Sequence, residues 1–169
     1  GLVFPWLGAS ASAIVVGVAA IVAAFGSPGA RLWRIGGVLF YGAAGIGKTT
    51  LASYMPNPLF LDLQGETSHI DWISRIDVDS WDTLRAAARD ASLWGPFSTL
   101  VIDNLTRAQQ MAVAWVCANV PDKGGEKRDS LEKFAYGGGP QLLADTFRTL
   151  LPDLDRVRAA GKHVVLIAH

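Results

Sequence analysis

The stretch Val38–Leu51, VLFYGAAGIGKTTL, decides how this chain folds. Val38-Leu39-Phe40-Tyr41 is a short apolar run of the kind that forms a buried strand, and Lys48–Tyr54 favours helix. Between them, Gly42-Ala43-Ala44-Gly45-Ile46-Gly47-Lys48-Thr49 fits G-x-x-x-x-G-K-[ST] at every position. Glycines let the backbone turn with its N–H groups pointing inward. Those groups, with the positive end of the next helix, hold a chain of phosphates. In this pattern Lys48 reaches the β- and γ-phosphates and the Thr49 hydroxyl ligands Mg²⁺. With Gly at about 7% of residues in proteins generally, chance matches in a chain this long occur at roughly the per-cent level. Gly42–Thr50 is therefore expected to bind a nucleoside triphosphate, with ATP and Mg²⁺ as ligands.

The 169 residues suffice for one α/β domain, and with 50% of them hydrophobic a core is assured. Fifteen basic and fifteen acidic residues cancel, so overall charge points to no polyanionic partner. The single cysteine, Cys117, excludes an intrachain disulfide and a cysteine-rich metal site.

No charged residue precedes Arg31, which sets residues 1–30 apart from the core expected over 31–169. Trp6–Phe25, WLGASASAIVVGVAAIVAAF, is an uncharged run long enough to cross a bilayer as a helix. Arg31 and Arg34 follow it, consistent with that end being cytoplasmic. Three readings stay open: a membrane anchor over residues 6–25, an apolar helix packed on the domain, or an N-terminus foreign to the mature product. Ser27-Pro28-Gly29 reads as a linker. The chain starts at Gly1 and stops at His169 directly after an apolar run, which reads as a fragment truncated at the C-terminus.

Beyond the glycine loop, Leu59-Phe60-Leu61 is a second strand closing on Asp62, followed by the polar Gln64-Gly65-Glu66-Thr67-Ser68-His69. Open α/β sheets place their ligand chemistry at that edge. Ile76–Val78 is a weaker strand, and Ser80 caps a helix expected over Trp81–Leu93. Thr99-Leu100-Val101-Ile102-Asp103 is a buried run ending in an acid, as in strands that organise Mg²⁺ beside a phosphate loop. A helix is expected over Leu105–Asn119, with Asn104 and Thr106 continuing the polar edge. Residues 121–140 carry four basic and four acidic side chains among glycines and read as a solvated, mobile excursion. Leu143 to Val157 keeps helical spacing, with Pro152 either kinking the element or starting its second half, and Val164–Ala168 is a last strand delivering His169.

This order of signals resembles the RecA-like P-loop ATPases, which have an extra strand between the two Walker strands. Several phrases are closer to the phage-type AAA/RecA nucleotide-binding proteins: Tyr41–Thr50, Pro56–Asp62, Val101–Thr106, Tyr136-Gly137 and Val164–His169. The resemblance covers about residues 35–169. It implies a mostly parallel sheet flanked by helices, and Mg²⁺-dependent ATP hydrolysis coupled to DNA recombination or repair. The implied partner is single-stranded DNA and the implied location the cytoplasm, that of the host if the protein is phage-derived. A homo-oligomer would supply an arginine finger. The catalytic set it implies is Lys48, Glu66, Asp103 and His169: Lys48 on the phosphates, Asp103 and Thr49 on the metal, Glu66 (or Asp62) activating water, and His169 sensing the γ-phosphate.

One departure stands out. The family commonly ends its second strand in Asp-x-Glu, whereas this chain reads Asp62-Leu63-Gln64-Gly65-Glu66. An amide at 64 cannot accept a proton as a carboxylate can, so hydrolysis depends on Glu66, two residues on. Two other functions compete. A P-loop kinase would need a lid with several arginines, and residues 121–140 hold only Arg128. A membrane-tethered nucleotide switch would use residues 6–25 and hydrolyse little.

Overall fold

The computed structural model describes residues 37–65, 67–134 and 137–169, together with the backbone pairing of Val18–Ala19. In chain order the elements are β1 (Val18–Ala19), β2 (Val38–Tyr41), α1 (Lys48–Ser53), β3 (Pro58–Asp62), β4 (Ser74–Asp77), α2 (Trp81–Arg89), α3 (Ala91–Trp94), β5 (Thr99–Asp103), α4 (Leu105–Asn119), α5 (Gly138–Arg148), α6 (Leu151–Ala159) and β6 (His163–Ala168). The strands lie in the order β1-β2-β6-β5-β3-β4. All pairings from β2 to β4 are parallel, so the architecture is α/β with five parallel strands flanked by helices. The last strand, β6, lies between β2 and β5, so one strand separates the strand before the glycine loop from the strand ending in Asp103.

A parallel sheet is buried on both faces, and alternate residues of each strand serve different cores. Leu59, Leu61, Leu100, Ile102 and Val164 face the larger core, which Trp81, Leu84, Met111, Leu154 and Val157 complete from the helices. Phe60, Val101, Val165 and Ile167 face the other way and pack with Phe40 and with Ala52 of α1. Trp81 and Phe147 meet with ring centroids 5.5 Å apart, joining α2 to α5.

Helices α2 and α6 are also joined by charge. Both oxygens of the buried Asp153 are used, one accepting from Arg85 Nε at 2.8 Å and the other from Arg89 Nε at 2.9 Å. Removing the carboxylate leaves two guanidiniums, of which Arg89 is already half-exposed and can turn to water. Asp153→Ala is therefore expected to cost about 2 kcal/mol, below the ~3–5 kcal/mol of a fully buried pair. Urea denaturation of the two proteins measures it, and equal midpoints would show that the ion pair contributes nothing.

Two expectations need correction. Val18 and Ala19 pair antiparallel with Phe40 and Leu39, so these two residues are strand and not part of an apolar helix. Without them β2 would be an edge with unpaired N–H and C=O groups, and that pairing competes with helix formation. The rest of the 6–25 run lies outside the described residues, among which no helix is long and apolar enough to cross a membrane. The helix expected over 81–93 breaks at Asp90, whose extended backbone ends α2 and whose side chain accepts from Ser92 N to cap α3. Of the two readings of Pro152, the structure has the second: it starts the second half of the 143–157 element, in the first turn of α6, where its missing N–H costs nothing.

The excursion from Pro121 is more ordered than its composition suggests. Asp122 accepts from the backbone N–H of Gly124 at 2.8 Å and of Glu126 at 3.1 Å, and from Arg128 Nε at 2.7 Å. The Arg128 guanidinium, helped by those amides, holds the Asp122 carboxyl below the usual carboxylate range. Charges read as solvated thus neutralise one another locally. Farther on, Phe134 is buried, and a Cβ at Gly139 would lie 2.1 Å from the Leu131 carbonyl oxygen, so only glycine fits there.

Candidate functional site: the carboxyl edge of the sheet

Four strands end side by side. Asp62 pairs in register with Asp103, Asp103 with Ile167, and Ala168 with Tyr41. The register brings the loop after β2, the acids ending β3 and β5, and His169 after β6 to one edge. Gly42 N donates to the Ala168 carbonyl at 3.3 Å, seating the start of the glycine loop against the end of β6.

The loop itself is open. Ala43, Ala44, Gly45, Ile46 and Gly47 are exposed, while Lys48 beneath them is buried. Gly47 precedes α1 at φ 91°, a left-handed conformation suited to glycine, and no side chain caps the helix. With glycine at the N-cap, no N-cap side chain covers the first turn of α1, and such a helix start suits an anion. Lys48 Nζ folds back on the loop, donating to Gly42 O and Ala43 O at 2.8 Å each, and lies 3.0 Å from His169 Nδ1. Thr50 is exposed in the first turn of α1, its carbonyl accepting from Ser53 Oγ at 2.7 Å.

The Thr49 hydroxyl donates to Asp103 Oδ2 at 2.7 Å. A hydroxyl and a carboxylate oxygen side by side, below a phosphate-sized loop, suit a hard cation such as Mg²⁺, which takes few protein ligands and keeps water and phosphate oxygens. Sequence reasoning paired these two residues, and the structure brings them into contact across 54 positions of chain.

Asp62 has another use. Its Oδ1 accepts from Gln64 N at 3.1 Å and Gly65 N at 2.7 Å; its Oδ2 accepts from Thr67 N at 3.1 Å and from the Thr67 hydroxyl. Arg75 Nη1 donates to the Thr67 carbonyl at 3.0 Å, tying the same loop to β4. Burial pushes the Asp62 carboxyl up, but the Thr67 hydroxyl and the three amides outweigh it and leave the carboxyl below its ordinary value. A carboxylate committed on both oxygens is poorly suited to take a proton from water, so Asp62 serves as a clasp and not as the substitute base. Glu66 lies outside the described residues, between the clasped positions 65 and 67. Tyr136 also lies outside them.

The clasp makes stability pH-dependent. Because the folded carboxyl is depressed below about 3.9, its stabilisation is fully present above that value and is lost as pH falls through the lower folded value. Asp62→Asn removes the charge and turns an acceptor into a donor facing amides. It is expected to cost about 2 kcal/mol at pH 7, with the difference from wild type shrinking toward pH 3. Paired urea titrations at the two pH values measure it, and a pH-independent difference would rule out the charged clasp.

Asn104 carries more of the site than its place after Asp103 suggested. Buried, it caps α4 by accepting from Arg107 N at 2.8 Å through Oδ1, and its Nδ2 lies 3.1 Å from His169 Nε2. His169 N donates to Thr106 Oγ1 at 3.5 Å. An Asn one residue beyond a strand-ending Asp, opening a helical pattern, was the available signal; its contact with His169, 65 residues on, was not readable.

A comparison with curated proteins finds no match. The family model described as AAA domain matches residues 37–169. That match starts just before β2 and runs through His169, so every side chain of this edge falls within it, and the chain belongs to the AAA domain family of AAA-type P-loop NTPases.

Proposed function

We propose that this domain is a RecA-like ATPase that binds ATP with Mg²⁺ and hydrolyses it to drive a DNA transaction of the recombination or repair kind. One observation carries the ATPase reading: β6, inserted between β2 and β5, brings His169 within 3.0 Å of Lys48, beside the Thr49–Asp103 pair. Lys48 moves from the loop carbonyls to the β- and γ-phosphates, and Thr49 and Asp103 hold the metal. Bound Mg²⁺ supplies charge neutralisation on the phosphate oxygens. Asp62 fixes the loop on which Glu66 accepts a proton from the attacking water, and His169 contacts the γ-phosphate. Catalysis on these terms is mostly positioning and charge stabilisation. An arginine from a neighbouring copy completes the site in a homo-oligomer.

Arg128 is held by Asp122 within its own loop, which speaks against the kinase lid. The DNA partner and a cytoplasmic location rest on the sequence resemblance. ATP turnover by the full chain, with and without single-stranded DNA, tests the proposal, and several-fold stimulation is the expected result. Unstimulated turnover would overturn the DNA role and leave the ATPase reading standing; absence of ATP binding would overturn both.

A further inference from the structure

Strand β4 closes one side of the sheet, and among the described residues its strand partner is β3 alone. Ser74, Arg75 and Asp77 are exposed, while Ile76 is half-buried against the larger core. Along a strand, alternate residues turn their backbone N–H and C=O groups to opposite sides. The Val78 N–H donates to the Asp62 carbonyl at 2.8 Å, so positions 74, 76 and 78 face β3. Arg75 and Asp77 therefore point their backbone groups away from the sheet, at an edge able to accept another strand. Arg75 Nη1 donates to the Thr67 carbonyl at 3.0 Å, which steadies that side chain beside the edge.

We propose that β4 pairs antiparallel with the β4 of a second copy of this chain, about a two-fold axis through Ile76. Such a pair is self-complementary and must set outward-facing residues opposite one another, so its register changes only in steps of two. With Arg75 opposite the partner's Arg75, or Asp77 opposite the partner's Asp77, like charges meet and oppose the pairing. The register between those two sets Arg75 opposite the partner's Asp77, and Asp77 opposite the partner's Arg75. Each then exchanges both backbone bonds with its opposite, and two attractive charge pairs lie on one face. On the other face Ile76 meets the partner's Ile76 at a non-hydrogen-bonded position, Cα atoms about 4.5 Å apart, and the two cover each other's apolar surface. Charge thus selects a single register. The contact is small, so the dimer is weak and reversible. It is an assembly property and stands whether or not the glycine loop holds ATP.

The test is sedimentation velocity of the full chain without nucleotide, from about 1 µM to about 1 mM, where a monomer–dimer equilibrium is expected. Asp77→Arg should weaken the dimer about tenfold or more, because both charge pairs become repulsive. Arg75→Asp should do the same. A mixture of these two variants should dimerise more tightly than either alone, since each then meets opposite charges. In a Cys117→Ser background, Ile76→Cys should form an intermolecular disulfide on mild oxidation. Ser74→Cys should not, because position 74 lies opposite the partner's Val78 and well away from the partner's position 74. This cysteine comparison needs neither charge variant to fold. A chain that stays monomeric throughout, with no disulfide at position 76, overturns the inference and leaves Arg75 and Asp77 as charges that keep sheet edges apart. A dimer that Asp77→Arg leaves intact, or that Ser74→Cys links as readily as Ile76→Cys, overturns it too, because the contact then lies elsewhere.

Discussion

Lys48→Ala is expected to remove about half or more of the stabilisation that ATP confers and to lower turnover by about 10²–10³-fold, as loss of one preorganised charge on a developing anion does elsewhere. In wild type, ligand at about 100 times its Kd adds about 2.7 kcal/mol, which for a domain of this size is about 5–10 °C in Tm. The ammonium supplies a charge-assisted hydrogen bond to phosphate, about 1.5–3 kcal/mol and so about tenfold or more in affinity. Lys48 also donates to Gly42 O and Ala43 O, so the alanine variant lacks two loop bonds even without nucleotide. The two effects separate cleanly: melting without ATP reports the loop, and the ATP-induced shift reports the phosphates. A full ATP-induced shift in Lys48→Ala would mean that the phosphates lie elsewhere, whatever the motif suggests. Lys48→Arg keeps the charge, but a planar fork cannot reproduce a compact ammonium between two carbonyls at 2.8 Å, and only partial recovery is expected.

What could be read without coordinates followed from interactions local in sequence. The glycine loop, the strands ending on Asp62 and Asp103 and the helix 105–119 each depend on neighbours within a few positions, and helix α4 has the expected bounds. The Thr49–Asp103 contact was legible too, because the motif chemistry demands a metal partner for the hydroxyl. Readings that failed depended on competition between local and distant partners. Residues 121–134 look solvated only if each charge is assumed to face water, whereas Asp122 collects two amides and Arg128. Asp62 looked like a spare base because its four donors come from a loop whose path composition does not reveal. Asn104 and His169 could each be noticed, but their contact depends on β6 lying beside β5, a matter of sheet order.

The largest remaining effect concerns the proton acceptor. Position 64, where the resemblance calls for a glutamate, is an exposed glutamine whose backbone N–H is held by Asp62 Oδ1 at 3.1 Å. Asp62 is itself committed, and the proposed function therefore gives the proton to Glu66, the acid that follows Gln64-Gly65 in the sequence. Glu66→Gln is expected to cut ATP turnover by about 10²–10⁴-fold, the range for loss of a general base, while leaving ATP affinity within about threefold. Two further changes separate chemistry from loop shape. Gln64→Glu alone should raise turnover if the clasped backbone already aims position 64 at the attacking water. In the Glu66→Gln background the same change should restore turnover at least about tenfold. Asp62→Asn loosens the loop and should slow turnover whether the working carboxylate stands at position 66 or at position 64. If Glu66→Gln turns over ATP at the wild-type rate, Glu66 is not the base. If Gln64→Glu then raises that rate, the chain is a nucleotide-binding domain whose hydrolysis is held low by one amide in place of a carboxylate.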